Sequence, residues 1–194
     1  MRRKILWVDC ETTGTNPEYH DIWQLAFIIE IDGRVEYEES SLIRPYNFET
    51  IQQSALAAGN TSIEELEKID MPITKTVDRL KSIWGAYIDK YDRDDKFVIA
   101  GYNVRFDYNF IYEMFQKAGD QYGLGSWAYW PTRDVATYVA DIAILKGFRF
   151  DNFQLKTVCG KFGIEFDAHD AMEDIKATKK LYEVLMEIWQ AEKV

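Results

Sequence analysis

The sequence predicts an α/β fold: a mixed β-sheet with three antiparallel strands followed by parallel strands, flanked by α-helices, in a single domain over residues 1–194. Three observations carry this reading. Two apolar runs and a returning segment, separated by strong turn residues, fill the start of the chain. Segments with helical apolar spacing fill most of the rest, and one short apolar strand interrupts them. That order suits a sheet covered by helices, and 194 residues suffice for one buried core.

Ile5 to Val8 is an apolar run that stops abruptly at Asp9, as a buried central strand does. Leu25 to Ile31 is a second run. Asp32-Gly33 behind it is a hairpin signal, and Val35 to Ile43 is the returning strand. Thr61 to Glu65 offers a capping-box helix start, Ser62 with Glu65. Val77, Leu80, Ile83, Trp84, Tyr87 and Ile88 recur at helical spacing and predict a helix over Ile73 to Tyr91. Phe97 to Ala100, closed by Gly101, reads as a short buried strand. Phe106 to Ala118 reads as a helix ended by Gly119. Arg133 to Leu145, Phe153 to Phe162 and Asp170 to Gln190 are also helical in pattern, with room for one more short strand at Trp127 to Trp130.

Charge and composition narrow the function classes. The net charge of −10 argues against a broad face for duplex phosphates, so any nucleic-acid contact is expected to be local and helped by cations. Two cysteines, Cys10 and Cys159, cannot make a disulfide framework and match no zinc spacing. No stretch approaches a membrane span, and the apolar run after Met1-Arg2-Arg3-Lys4 is too short for a signal peptide. The expectation is a cytoplasmic protein with free thiols and no membrane contact.

Three acidic segments carry chemistry. Asp9-Cys10-Glu11 ends the first strand, where alternation puts both carboxylates on one face and Cys10 on the other. Two carboxylates there are costly unless a cation lies between them, and Mg²⁺ favours such oxygens. With 17 Asp and 16 Glu, a D-x-E triplet arises about 1.4 times by chance, so its place after an apolar strand is what gives it weight. Thr12, Thr13 and Gly14 follow as a tight turn whose N–H groups could face a phosphate or ribose. Next, Gly101-Tyr102-Asn103-Val104-Arg105-Phe106-Asp107 opens a helix. Asp107 alone reads equally well as a carboxylate favoured by the helix dipole, and Asn103 as a cap or a cross-site donor. Finally, in His169-Asp170-Ala171-Met172-Glu173-Asp174, Asp170 and Glu173 have capping-box spacing and Asp174 sits one turn inside the last helix. His169, just before that helix, is the natural candidate for a general base, because imidazole titrates near neutral pH, although alone it reads as an exposed residue. His20, after Asn16-Pro17, reads as surface.

Together these segments resemble the DnaQ-like (DEDDh) 3′→5′ exonuclease family of the ribonuclease H-like superfamily. The matches are D-C-E-T-T-G at Asp9 to Gly14, N-V-R-F-D at Asn103 to Asp107 and H-D-A-M-E-D at His169 to Asp174. Weaker echoes are Asp21 to Ala26, Arg133-Asp134-Val135 and Phe153-Gln154-Leu155. The resemblance spans about Ile5 to Leu185 and implies a ribonuclease H-like sheet. It implies that Asp9, Glu11, Asp107 and Asp174 hold two Mg²⁺, for which Mn²⁺ can substitute, and that His169 is the general base. The expected activity is removal of nucleoside 5′-monophosphates from a single-stranded DNA 3′ end. Thr12, Thr13 and Gly14 are expected on one side of the terminal nucleotide, and Tyr102, Asn103 and Phe106 on the other. Phe106 reads equally as core. The chain departs from the family in three places. Cys10 replaces a common Thr, and is expected to face away from the metals. Gln24 stands where several members carry an acid. Residues 55–62 read A-L-A-A-G-N-T-S where a His-Gly pair is common.

Other readings stay open. The substrate could be short RNA, as for oligoribonuclease and ribonuclease T. The chain could be a polymerase proofreading subunit. Because it ends at Val194 directly after the last helix, with no tail, a free-standing enzyme is expected. A homodimer or a polymerase partner is left undecided. A non-catalytic binding module would have lost one of the five residues that are all present here.

Overall fold

A computed structural model describes residues 3–168 and 170–191. Five strands form one sheet: β1 (Lys4–Thr12), β2 (Ile22–Ile31), β3 (Arg34–Leu42), β4 (Phe97–Gly101) and β5 (Ala128–Asp134). Their order is β3-β2-β1-β4-β5. β1, β2 and β3 are antiparallel, whereas β4 lies parallel to β1 and β5 parallel to β4. The described helices are α1 (Gln53–Ala58), α2 (Ile63–Glu67), α3 (Ile73–Trp84), α4 (Arg105–Lys117), α5 (Val135–Lys146), α6 (Leu155–Lys161) and α7 (Ala171–Gln190). This is the mixed sheet that the sequence predicts.

β1 is the hub. Its alternation sends Leu6, Val8 and Cys10 into a core shared with α3 and α4. Ile5 and Trp7 enter the opposite core, under α5, α6 and α7. Asp9 and Glu11 continue the Ile5–Trp7 face, so they emerge beneath α7. The ladder with β2 slips between Glu11 and Thr12, where the chain leaves the sheet. A small third cluster, Trp23 with Leu56 and Leu66, holds α1 and α2 beside that end of the sheet.

Several boundaries differ from the sequence expectation. α3 stops at Trp84, and Gly85 follows in turn conformation. Tyr87 and Ile88 still pack inward, so the spacing there reports burial rather than helix. β5 runs to Asp134, past the expected helix start, because pairing with β4 outweighs local preference. As an edge strand it tolerates Pro131. α1 was not anticipated. Among the described residues no helix is long and apolar enough to cross a membrane.

Candidate active site

The site is built where β1 ends. Asp9, Glu11 and Asp174, each half-buried, offer carboxylate oxygens that all lie within 4.8 Å of one another. Strand alternation supplies the first two, and α7 brings the third from 163 residues away in sequence. α7 starts where it does because Asp170 caps it, its Oδ1 accepting from the N–H groups of Met172 and Glu173 at 3.1 Å each. Asp174 then falls in the first turn. His169 lies outside the described residues.

Asp107 comes from the opposite side, in the first turn of α4, and is only 4% exposed. Its Oδ1 accepts from the Cys10 backbone N–H at 3.0 Å and from the Cys10 thiol at 3.2 Å. Cys10 does turn from Asp9 and Glu11, but it turns toward Asp107. Strand alternation takes Cys10 off the Asp9–Glu11 face, as the sequence predicts, and α4 meets it on the other with Asp107. Asn103 does not cap α4. Its φ is 54°, Val104 occupies the cap position without a side-chain bond, and the Asn103 backbone N–H donates to Asp134 Oδ1 at 2.8 Å. Asp134 also caps α5 through Ala136 N–H at 3.0 Å, so one carboxylate joins the starts of two helices.

Electrostatics set this cluster apart. Burial, then the charges of Asp107, Asp174, Glu11 and Asp170, holds Asp9 well above the usual carboxylate range. Burial, then Asp174 and Asp170, pushes Glu11 up to about 7. Burial pushes Asp107 up to about 7 against its hydrogen bonds from Cys10. Like charges crowded in low dielectric resist ionisation unless a cation joins them. An all-oxygen donor set of this kind suits a hard divalent cation such as Mg²⁺ or Mn²⁺.

The walls expected around a terminal nucleotide are placed as follows. Thr12 and Thr13 are buried and their hydroxyls build the turn itself: Thr12 Oγ1 donates to Gly14 O at 2.7 Å, and Thr13 Oγ1 accepts from Asp21 N–H at 2.9 Å. Tyr102 is half-buried, and its hydroxyl donates to Phe153 O at 2.5 Å. Asn103 is exposed, and half-buried Phe106 packs on Phe110 with ring centroids 4.7 Å apart.

Sequence reasoning missed several supports. His20 is 7% exposed, not a surface residue. Its ring lies on Gly14, where an added Cβ would come within 2.3 Å, and Asn16 N–H donates to its Nδ1 at 3.0 Å. Lys117, at the end of α4, donates to Pro17 O at 3.1 Å, His20 O at 2.7 Å and Asp21 Oδ1 at 2.7 Å. Asp21 Oδ2 also accepts from Asn47 N–H at 2.7 Å. The turn after β1 is thus clamped to the helix that carries Asp107. Gly59, in the segment that departs from the family, abuts the site: a Cβ there would lie 3.2 Å from Glu11 Oε2 and 2.6 Å from the Trp23 ring. The Asp21 to Ala26 echo was the available sequence signal for the clamp, but its partner near residue 117 was not legible.

Comparison with known proteins agrees with this geometry. An exonuclease family (RNase_T) matches residues 6–182. A ribonuclease T of Marinobacter nauticus is 25% identical over 191 residues, covering 94% of this chain and 82% of the relative. The structure of E. coli exonuclease I in complex with a dT13 oligonucleotide superposes with a TM-score of 0.74 at 23% identity, covering 95% of this chain and 40% of that one. The ExoI/SSB-Ct complex superposes with a TM-score of 0.76 at 22% identity, covering 99% and 42%. This chain therefore spans about two-fifths of those exonuclease I chains, and at that identity the likeness is one of fold. From the match over residues 6–182, the chain belongs to the exonuclease family, as a DEDDh-type nuclease on the ribonuclease H-like fold.

Proposed function

We propose that this chain is a divalent-cation-dependent 3′→5′ exonuclease that removes nucleoside 5′-monophosphates from the end of a single strand. The observation that carries this is the meeting of Asp9, Glu11 and Asp174 within 4.8 Å, with Asp107 at the flank. Asp9, Glu11 and Asp174 would hold one cation, and Asp9 with Asp107 would hold a second. Cations held there supply Lewis acidity, lowering the pKa of a water and offsetting charge on the leaving oxygen. His169 takes the proton of the attacking water. The Thr12–Gly14 turn, Tyr102, Asn103 and Phe106 enclose the terminal nucleotide, and the closed turn selects an end over an interior. Mg²⁺ is the working ion and Mn²⁺ substitutes for it.

The substrate assigned first is single-stranded DNA, in keeping with the oligonucleotide complex of the exonuclease I neighbour. The ribonuclease T relative favours a second reading, a short RNA end. The test is 5′-labelled single- and double-stranded DNA and RNA of matched sequence in Mg²⁺, with wild type beside Asp9→Ala. A ladder shortening from the 3′ end, lost in the variant and in EDTA, is expected. Internal cuts, or an unchanged ladder in Asp9→Ala, would overturn the proposal. The ratio of DNA to RNA turnover decides between the two substrates.

A further inference from the structure

Gln24 pairs with Glu11 across the β1–β2 ladder, so both side chains stand on the face beneath α7. It is 8% exposed. Its amide nitrogen has two hydrogens, and both are used: Nε2 donates to Asp170 Oδ2 at 3.1 Å and to Ser40 Oγ at 3.2 Å. Asp170 is thereby divided. One oxygen caps α7 through Met172 and Glu173, and the other is tied to the sheet. Four residues on, the same helix delivers Asp174 to Asp9 and Glu11.

We propose that Gln24 is a positioning residue for the reaction: its amide docks Asp170, fixing where the first turn of α7 presents Asp174. The donor is what matters. A carboxylate at position 24 would face Asp170 at the same separation, acceptor against acceptor, and would push the start of α7 off the sheet. The residues at 24 and 170 therefore form a matched pair, an amide donor against a carboxylate acceptor. The inference rests on the exonuclease reading of the neighbouring carboxylates.

The test is a cycle of Gln24→Glu, Asp170→Asn and the double variant, which exchanges amide and carboxylate while keeping a competent helix cap. Three readouts are taken: kcat and KM on a labelled oligonucleotide, Mn²⁺ affinity by titration calorimetry, and Tm. Gln24→Glu should lower kcat and Mn²⁺ affinity roughly tenfold each, the scale of a charge-assisted hydrogen bond, with little change in KM. The double variant should return both to within about threefold of wild type. Wild-type values in Gln24→Glu would overturn the proposal. So would a double variant that matches wild type in Tm yet stays as impaired as Gln24→Glu. Should Gln24→Glu fail to fold, recovery of folded, Mn²⁺-binding protein in the double variant supports the pairing, and its failure there refutes it. If wild type binds Mn²⁺ but cleaves no strand, the exonuclease reading falls, while the Mn²⁺ cycle still decides the pairing.

Discussion

Two sets of buried and half-buried carboxylates share this sheet and differ in what faces them. Asp21 meets Lys117 Nζ at 2.7 Å, and Glu30 has Lys179 Nζ at 3.4 Å. Glu39 binds Arg79 through two 2.7 Å hydrogen bonds and is held at about 2, the guanidinium outweighing its burial. At the end of β1 the facing groups are other acids, and Glu11 and Asp107 are pushed up to about 7. The protein balances its structural acids internally and gathers the others at one point. Like charges crowded together resist ionisation, so such a concentration suits an external cation.

The comparison breaks first at Asp9. Asp9→Asn should lower turnover by at least ~10³-fold, the scale of losing an essential electrostatic group, while raising the metal-free Tm by about 2 °C or more through relief of repulsion. Steady-state assays and thermal melts in EDTA check both signs, and a fall in Tm would contradict the account of the cluster. At the paired acid the sign of the stability change reverses. Lys117→Met strands Asp21 in the interior and should cost about 3–5 kcal/mol of stability by denaturant melts.

A pH series sharpens the contrast. In the unfolded chain Glu11 and Asp107 ionise near 4.5 and 3.8, and in the folded chain each is pushed up to about 7. The unfolded state releases these protons first, so their stabilisation is complete below about pH 4 and is lost as pH rises through 7. Glu39 works oppositely, losing its contribution only as pH falls toward 2. Between pH 5 and 8 the metal-free Tm should therefore fall by about 5 °C, and saturating Mn²⁺ should flatten the slope. A flat metal-free profile would refute the account of the crowded carboxylates. The smallest effect belongs to the exposed Arg79: Arg79→Ala should shift the Tm less than either Asp9→Asn or Lys117→Met.

The strands and the acidic trio were legible because local signals encode them. Apolar runs that stop at Asp9, Asp32-Gly33 between two strands, and the capping spacing at Asp170 each act within a few residues. The box at Ser62 and Glu65 forms as its spacing implies, at 3.0 and 3.3 Å. What escaped depends on meetings far along the chain. Lys117 reads as an ordinary helix-end lysine until Asp21 is placed beside it. Cys10 reads only as lying opposite Asp9 and Glu11 until α4 brings Asp107 to it. Gln24 reads as a departure from the family until its hydrogen bond to Asp170, 146 residues away, is seen. α1, with six residues, is too short for periodicity to register.

The clamp formed by Lys117 also bears on the order of assembly. It fastens a loop lying 96–100 residues earlier, so this anchor of the turn after β1 is added only once α4 has been made and docked. Asp174 joins later still. Such long closures form late in folding, when the sheet is already in place. A nascent chain would thus hold its hairpin well before it could hold a cation, and competence to cut nucleic acid should arrive only with the last helix.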